Sequence, residues 1–166
     1  FSALNARAEL NIKIDNYLTV LPAVWNLEKL NNRRIKIDDK YGIANIISRN
    51  DNLAHALRKI YDYTLNLLEY EIIERDLSIA EILKYKRGKC VEYAALFDYL
   101  AAQLGLKSRM VCGEAYSHFG NETVTLRAGH SWTEIWFDGL SWVGFDPTFE
   151  DTGNRNYFGN MRSGHI

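Results

Sequence analysis

The spacing of apolar residues predicts helices in the middle of the chain. After a capping residue at Asn50 or Asp51, apolar side chains recur every three or four positions, as on one face of an amphipathic helix. The stripe comprises Leu53, Leu57, Ile60, Tyr61, Thr64 and Leu68. Ser78 and Glu81 have the spacing of a capping box, which predicts a second, short helix that stops near Gly88.

The third predicted helix, Cys90–Leu104, is apolar on nearly every face. Such a helix is typical of the centre of a domain. Gly105 follows it and suits the left-handed conformation in which many helices end.

The hydrophobic period changes after Gly105. Short segments rich in β-branched and aromatic residues predict antiparallel strands; they are Ser108–Tyr116, His130–Phe137 and Ser141–Asp146. Ser117–Gly129 is predicted to be a polar loop. Because the helices come first and the strands afterwards, the fold class is α+β.

The 166 residues suit one domain. We expect residues 1–50 to be an N-terminal extension packed on the core, with a short helix at Pro22–Leu30 and a strand at Arg34–Ile37. Residues 51–150 form the predicted core. Residues 151–166 have no periodicity, and we expect this C-terminal tail to be truncated.

Composition excludes several classes of protein. Hydrophobic residues make up 47% and charged residues 25%, as in globular domains. With a net charge of −1, the chain has no overall positive field that would attract nucleic acid. No apolar run is long enough to insert in a membrane. The chain begins at Phe1, so we expect a processed form or a fragment. Both a cytoplasmic and an extracytoplasmic location therefore remain open, as does the oligomeric state.

Cys90 is a candidate nucleophile because it begins a predicted helix. The helix N-terminus favours an anion, and Arg87 and Lys89 add positive charge nearby, so the thiolate form is favoured. The alternative is a buried structural cysteine. Cys112 lies mid-strand, where a structural role is expected. Two cysteines can form one disulfide at most, and their spacing does not suggest a zinc site.

A thiolate nucleophile needs a base and a group that orients the base. His130 opens a strand where its side chain can face a cleft, and Asp146 ends the next strand, although an Asp there could also be a turn former. We expect the other histidines to be ordinary surface or packing residues; they are His55, His118 and His165.

Strand register sets a condition on this pair, because opposed residues of antiparallel strands share a face. A two-residue turn between the last two strands would place Asp146 on the face away from His130. A three-residue connection, Asp138–Leu140, places Asp146 opposite Trp132 and on the face of His130. Gly139 suits the left-handed residue of such a loop. We therefore predict this loop, with Asp146 accepting a hydrogen bond from a ring nitrogen of His130.

Three segments in this order resemble motifs of the transglutaminase-like superfamily. They are Arg87-Gly-Lys-Cys-Val-Glu-Tyr-Ala-Ala-Leu-Phe97 with the following Leu104–Gly113, His130-Ser-Trp-Thr-Glu-Ile-Trp136, and Trp142-Val-Gly-Phe-Asp-Pro-Thr148. The likeness runs from about Leu53 to Thr148 and is closest to bacterial transglutaminase-like proteins.

The resemblance implies a papain-like core in which the nucleophile helix packs on a small antiparallel sheet. It implies that Cys90 is the nucleophile, His130 the base and acid, and Asp146 the orienting group. The implied reaction is acyl transfer at an amide through a thioester, without cofactor or metal. We favour a cysteine peptidase or amidase acting on a protein or peptide. The alternatives are a crosslinking transglutaminase and a non-catalytic protein-binding domain.

The oxyanion donor is less clear from the sequence. No Trp lies between Asn26 and Cys90, so the indole donor of animal transglutaminases has no obvious equivalent. The backbone N–H of Cys90 is the favoured donor. Tyr70 resembles a Tyr common in the family; its hydroxyl could face the site, but we expect core packing.

Other kinds of site have weaker support. The acidic residues Asp138, Glu150 and Asp151 lack the alternating spacing of a calcium loop. A stacking platform for sugars or bases could be built from Trp132, Trp136 and Trp142, but core packing in one sheet is favoured. No Gly-rich phosphate loop indicates a nucleotide site.

Overall fold

The computed structural model describes residues 45–48, 51–118, 125–139, 141–153, 157–159 and 165. The predicted helix Pro22–Leu30 and strand Arg34–Ile37 lie outside the described residues. At the start of the described part, Ile47 is buried in the hydrophobic core and Ile46 packs against it. No helix among the described residues is both long enough and apolar enough to cross a membrane.

Helix α1, Leu53–Leu67, buries the predicted stripe. Its N-cap is Asn52, whose side chain accepts the N–H of His55 at 2.8 Å, so the prediction of Asn50 or Asp51 is wrong. Asp51 does not cap the helix because its carboxylate accepts the backbone N–H of Ser48 at 2.8 Å. Asp51 also binds the Lys59 ammonium at 2.7 Å.

Helix α2, Ile79–Tyr85, has the predicted capping box. The Ser78 side chain accepts the backbone N–H of Glu81, and the Glu81 carboxylate accepts the backbone N–H of Ser78 at 2.9 Å. The helix ends earlier than expected, because Lys86 adopts the left-handed conformation with φ 56°.

Gly88 belongs instead to a two-stranded parallel ribbon that precedes the central helix. Strand β1, Glu69–Tyr70, pairs with strand β2, Arg87–Gly88. This pairing places the end of β2 two residues before Cys90.

Helix α3, Cys90–Gln103, is the predicted central helix. It is buried on several faces, through Glu92, Tyr93, Ala94, Leu96, Phe97, Leu100 and Ala101. Gly105 has φ 74°, as expected for the residue that ends the helix. The α3 residue Phe97 contacts Tyr61 of α1 and Phe145 of the sheet, with ring centroids 5.2 and 5.6 Å apart. The core therefore lies on both sides of this helix.

The sheet is antiparallel with the order β3-β4-β5. Its strands are β3, Ser108–His118, β4, Thr125–Phe137, and β5, Ser141–Phe145. The β3–β4 ladder continues to the pair His118 and Thr125, so the prediction of a loop over Ser117–Gly129 is wrong. Backbone pairing needs no core-facing pattern, and the exposed Ala128 and Gly129 show that this part of the hairpin has little core to contact.

The register of β4 and β5 is the predicted one. Phe137 pairs with Ser141 and Thr133 pairs with Phe145, which leaves a three-residue connection. Gly139 in that connection has φ 85°. This register requires Asp146, which follows β5, to lie on the same face as His130.

The three tryptophans of the sheet do not share one environment. Trp132 is buried, but Trp136 and Trp142 are half-buried and contact each other with ring centroids 5.6 Å apart. The Lys107 ammonium and the Arg109 guanidinium lie over the Trp142 ring, at 5.3 and 4.1 Å from its centroid. Of the three, only Trp132 is buried, and its ring lies against His130 and His165, with centroids 6.2 and 5.1 Å apart, rather than in the core cluster. The Lys107 ammonium lies over both outer rings.

Helix α4, Pro147–Gly153, follows β5 directly. Asp146 caps it, since the Asp146 carboxylate accepts the N–H of Phe149 at 3.0 Å. Pro147 occupies the first helical position, where its missing N–H costs nothing. The last three residues of this helix, Asp151–Gly153, are the first three of the predicted aperiodic tail.

Candidate active site

Cys90 is the first residue of α3 and is half-buried. Burial would raise the pKa of its thiol, but hydrogen bonding to His130, the charge of His130 and the N–H groups of Ser131 and Val91 together lower that pKa. A lowered pKa favours the thiolate, which is the nucleophilic form. The surroundings of Cys90 are those of a reactive cysteine.

The two cations that flank Cys90 in the sequence are each paired with a carboxylate. Arg87 binds Glu71 at 3.0 Å, and Lys89 binds Asp76 at 3.1 Å. Lys89 nevertheless acts on Cys90 as expected, because its pKa is raised mainly by Asp76 and the charge of Cys90 contributes to that rise. The stabilisation of the thiolate comes mainly from the imidazole and backbone of β4.

His130 lies in β4 opposite Gly113 and is only 7% exposed. Its Nε2 is 2.7 Å from Oδ2 of Asp146, so the predicted hydrogen bond is present. This contact leaves Nδ1 as the ring nitrogen for Cys90. Burial lowers the pKa of His130, but the contacts with Asp146 and Cys90 outweigh it and raise that pKa to about 9.

Asp146 is fully buried, yet it is held as a carboxylate. Burial raises its pKa, but hydrogen bonds from His130 and His165 more than compensate, and the pKa is lowered. The Phe149 N–H donates to the other oxygen, Oδ1, at 3.0 Å. The Asp146 side chain thus has two roles: it caps α4 through Oδ1, and it binds the His130 imidazole through Oδ2.

The C-terminal tail completes this part of the site. His165 Nε2 is 2.7 Å from Asp146 Oδ2, and the His165 side chain is 4% exposed. It is therefore not a surface residue: it packs among aromatic rings, as the other half of the expectation had it, and it also contacts the Asp146 carboxylate. Phe149 was also missed, and its ring stacks on that of His130 with centroids 4.2 Å apart. The structure thus brings Cys90, His130 and Asp146 together and adds two residues.

Tyr70 lies beside the candidate nucleophile rather than in the core. It is 42% exposed and packs on Tyr93 with ring centroids 6.4 Å apart. Burial, followed by the charge of Cys90, raises the pKa of its phenol. The expectation of core packing is therefore wrong, and Tyr70 stays a neutral hydroxyl near the sulfur.

The other cysteine lies away from this chemistry. Cys112 is exposed, and its Sγ is 3.3 Å from Oγ of Ser131. Both cysteines are free thiols.

Among the described side chains, one group of donors could hold a metal ion: His130, Asp146 and His165. The two nitrogen–oxygen separations are 2.7 Å, which is hydrogen-bond length. Two ligands on tetrahedral zinc lie about 3.3 Å apart, given metal–ligand distances near 2 Å. The spacing favours hydrogen bonds over a shared ion.

The carboxylates weighed for calcium have separate partners. Asp138 accepts the indole N–H of Trp136 at 3.0 Å. Glu150 accepts the Tyr61 hydroxyl at 2.9 Å, and Asp151 accepts the Tyr93 hydroxyl at 2.7 Å. The contacts of Glu150 and Asp151 tie α4 to the helices α1 and α3, which is a structural role.

Comparison with known proteins gives one family match. The family model of the transglutaminase-like superfamily matches residues 42–147. No curated protein matches the sequence significantly.

Solved structures are similar in fold. A candidate cysteine protease from Cytophaga hutchinsonii has 22% identity and a TM-score of 0.52, covering 75% of this chain and 44% of its own. The periplasmic domain of TgpA from Pseudomonas aeruginosa, bound to ethylmercury, has 18% identity and a TM-score of 0.48. The match covers 60% of this chain and 39% of the TgpA domain. The chain therefore spans less than half the length of these structures. The first similarity, with the observed elements, confirms an α+β fold with a papain-like core.

Proposed function

Because the chain belongs to the transglutaminase-like superfamily, we propose that it is a cysteine peptidase or amidase that uses Cys90, His130 and Asp146. One observation carries the proposal. The bond from His130 Nε2 to Asp146 leaves the opposite ring nitrogen for the Cys90 sulfur, whose pKa is lowered. A nucleophile, a base and an orienting carboxylate in this order are the parts of acyl transfer at an amide.

The first half of the proposed reaction forms a thioester. The Cys90 thiolate attacks the amide carbonyl carbon, and a C–S bond forms. His130, which holds a proton because its pKa is raised to about 9, gives that proton to the leaving nitrogen as the C–N bond breaks. The amine departs, and the acyl group remains on Cys90.

The second half returns the enzyme to its starting state. Neutral His130 removes a proton from water, the resulting oxygen nucleophile attacks the thioester, and the C–S bond breaks. The carboxylic acid product leaves, and the thiolate–imidazolium pair is restored. Asp146 keeps the imidazole in one tautomer and orientation throughout. The N–H of Cys90, at the N-terminus of α3, is the proposed donor to the oxyanion.

Alkylation with iodoacetamide tests whether Cys90 is activated. We expect rapid, pH-dependent alkylation of Cys90 at or below pH 7, because His130 lowers the pKa of this thiol. Peptide mass spectrometry distinguishes Cys90 from the exposed Cys112, which serves as the internal reference. In His130→Ala, Cys90 should no longer be alkylated faster than Cys112. Slow labelling with an ordinary thiol pKa, unchanged by His130→Ala, would favour the non-catalytic binding domain.

A proteome digest decides which acceptor the acyl group takes. We expect incubation of the chain with a bacterial proteome to create new peptide termini, mapped by labelling of free α-amines. Cys90→Ala is the matched control. If new Gln–Lys isopeptide bonds appear instead, the acceptor is a lysine amine and the activity is that of a transglutaminase.

A further inference from the structure

The Asp146 carboxylate has a second imidazole on it, which the proposed reaction does not use. Oδ2 of Asp146 is 2.7 Å from Nε2 of His130 and 2.7 Å from Nε2 of His165. Oδ1 accepts the N–H of Phe149 at 3.0 Å. A buried carboxylate with donors on both oxygens is fixed in direction and stays ionised.

The surroundings of His165 hold its ring in place. Its ring centroid lies 5.1 Å from Trp132, 5.1 Å from Phe149 and 5.9 Å from Tyr157. Its backbone forms a β-bridge with Ala115 of β3. The side chain is 4% exposed, so its N–H reaches Asp146 without competition from bulk solvent.

Glu150, the nearest other carboxylate of α4, has partners of its own. It accepts the Tyr61 hydroxyl and the Tyr157 N–H, each at 2.9 Å, and contacts the Arg58 guanidinium at 3.5 Å. One of these bonds therefore holds Tyr157, and the Tyr157 carbonyl accepts the Asp146 N–H at 3.3 Å. Tyr157, whose ring contacts that of His165, is thus attached to both Glu150 and Asp146.

We propose that His165 is a positioning residue that acts through Asp146, holding the carboxylate so that it orients His130. This inference rests on the proposed function. It extends the site from three residues to four and makes the C-terminal tail part of it.

The test compares two replacements of His165 by the rate at which iodoacetamide alkylates Cys90 between pH 5 and pH 8. His165→Phe keeps a ring for packing but removes the N–H, and we expect a roughly tenfold lower rate at pH 6, about the value of one hydrogen bond to a charged group. His165→Gln keeps an N–H donor at a similar reach, and its rate should be within twofold of the unchanged chain. Thermal unfolding of each variant reports packing separately.

A double-mutant cycle tests whether the effect passes through Asp146. In an Asp146→Ala background, His165→Phe should cause no further loss. An unchanged rate in His165→Phe, an equal loss in His165→Gln, or an additive loss in the Asp146→Ala background would each overturn the inference. If Asp146→Ala does not fold, the comparison of His165→Phe with His165→Gln tests the inference by itself. If the unchanged chain shows no activation of Cys90 by His130, the proposed function fails instead.

Discussion

Cys90→Ala and His130→Ala should each lower turnover by roughly 10⁶-fold while the fold survives, the size of effect seen when a nucleophile or its base is removed. Cys90 is half-buried at the start of α3, and Ala is a good helix former, so the loss is chemical rather than structural. Turnover is followed with the peptide substrate found in the proteome digest, and folding by thermal unfolding. Retained activity in Cys90→Ala would end the thioester proposal.

Asp146→Asn should leave more activity than either of these variants, with a loss of roughly 10⁴-fold. The carboxylate acts on the substrate only through His130, to which it bonds at 2.7 Å. Cys112→Ala is the matched control for a lost thiol, because Cys112 is exposed and contacts Ser131 through its sulfur. A loss in Cys112→Ala equal to that in Cys90→Ala would show that the assigned nucleophile is incorrect.

The elements that hold the three proposed residues could be predicted because they depend on local patterns. The apolar faces of Cys90–Gln103 indicate a central helix whatever surrounds it. The β4–β5 register follows from a short connection with Gly139 at its left-handed position. Since side chains alternate along a strand, that register alone decides that Asp146 and His130 share a face.

The rest of the site depends on contacts that no local pattern reveals. His165 lies 19 residues after Asp146 in the sequence, and its segment has no periodicity, so nothing local in the sequence indicates that the two side chains are in contact. The carboxylate partners of Arg87 and Lys89, Glu71 and Asp76, could not be predicted for the same reason, although Lys89 does act on Cys90 as expected.

Helix α4 is different, because its signal was present in the sequence. An Asp followed by Pro is a common helix start, with the Asp as N-cap and the Pro in the first turn. Asp146 and Pro147 form this pair. The helix itself could not be predicted from apolar periodicity, because a seven-residue segment is too short to show a clear apolar stripe.

Gly88 lies against a buried carboxylate at the base of the nucleophile helix. A Cβ added to Gly88 would lie 2.3 Å from Cβ and 2.6 Å from Cγ of Glu92, far inside contact distance. Glu92 is fully buried and cannot swing away freely. Its two carboxylate oxygens accept the N–H groups of Leu77 and Lys89, each at 3.0 Å.

Gly88→Ala should therefore lower the free energy of unfolding by about 3–5 kcal/mol, combining an overpacked core with the loss of hydrogen bonds to a buried charge. Urea denaturation followed by circular dichroism measures the change. Gly129→Ala is the matched control, because a Cβ there meets no atom within 4 Å, and its unfolding free energy should stay close to the original. Since β2 ends two residues before Cys90, Gly88→Ala should also slow Cys90 alkylation in whatever folded protein remains. An unfolding free energy equal to that of Gly129→Ala would show that the start of α3 can shift to admit a methyl group, and that Glu92 does not fix the position of the nucleophile.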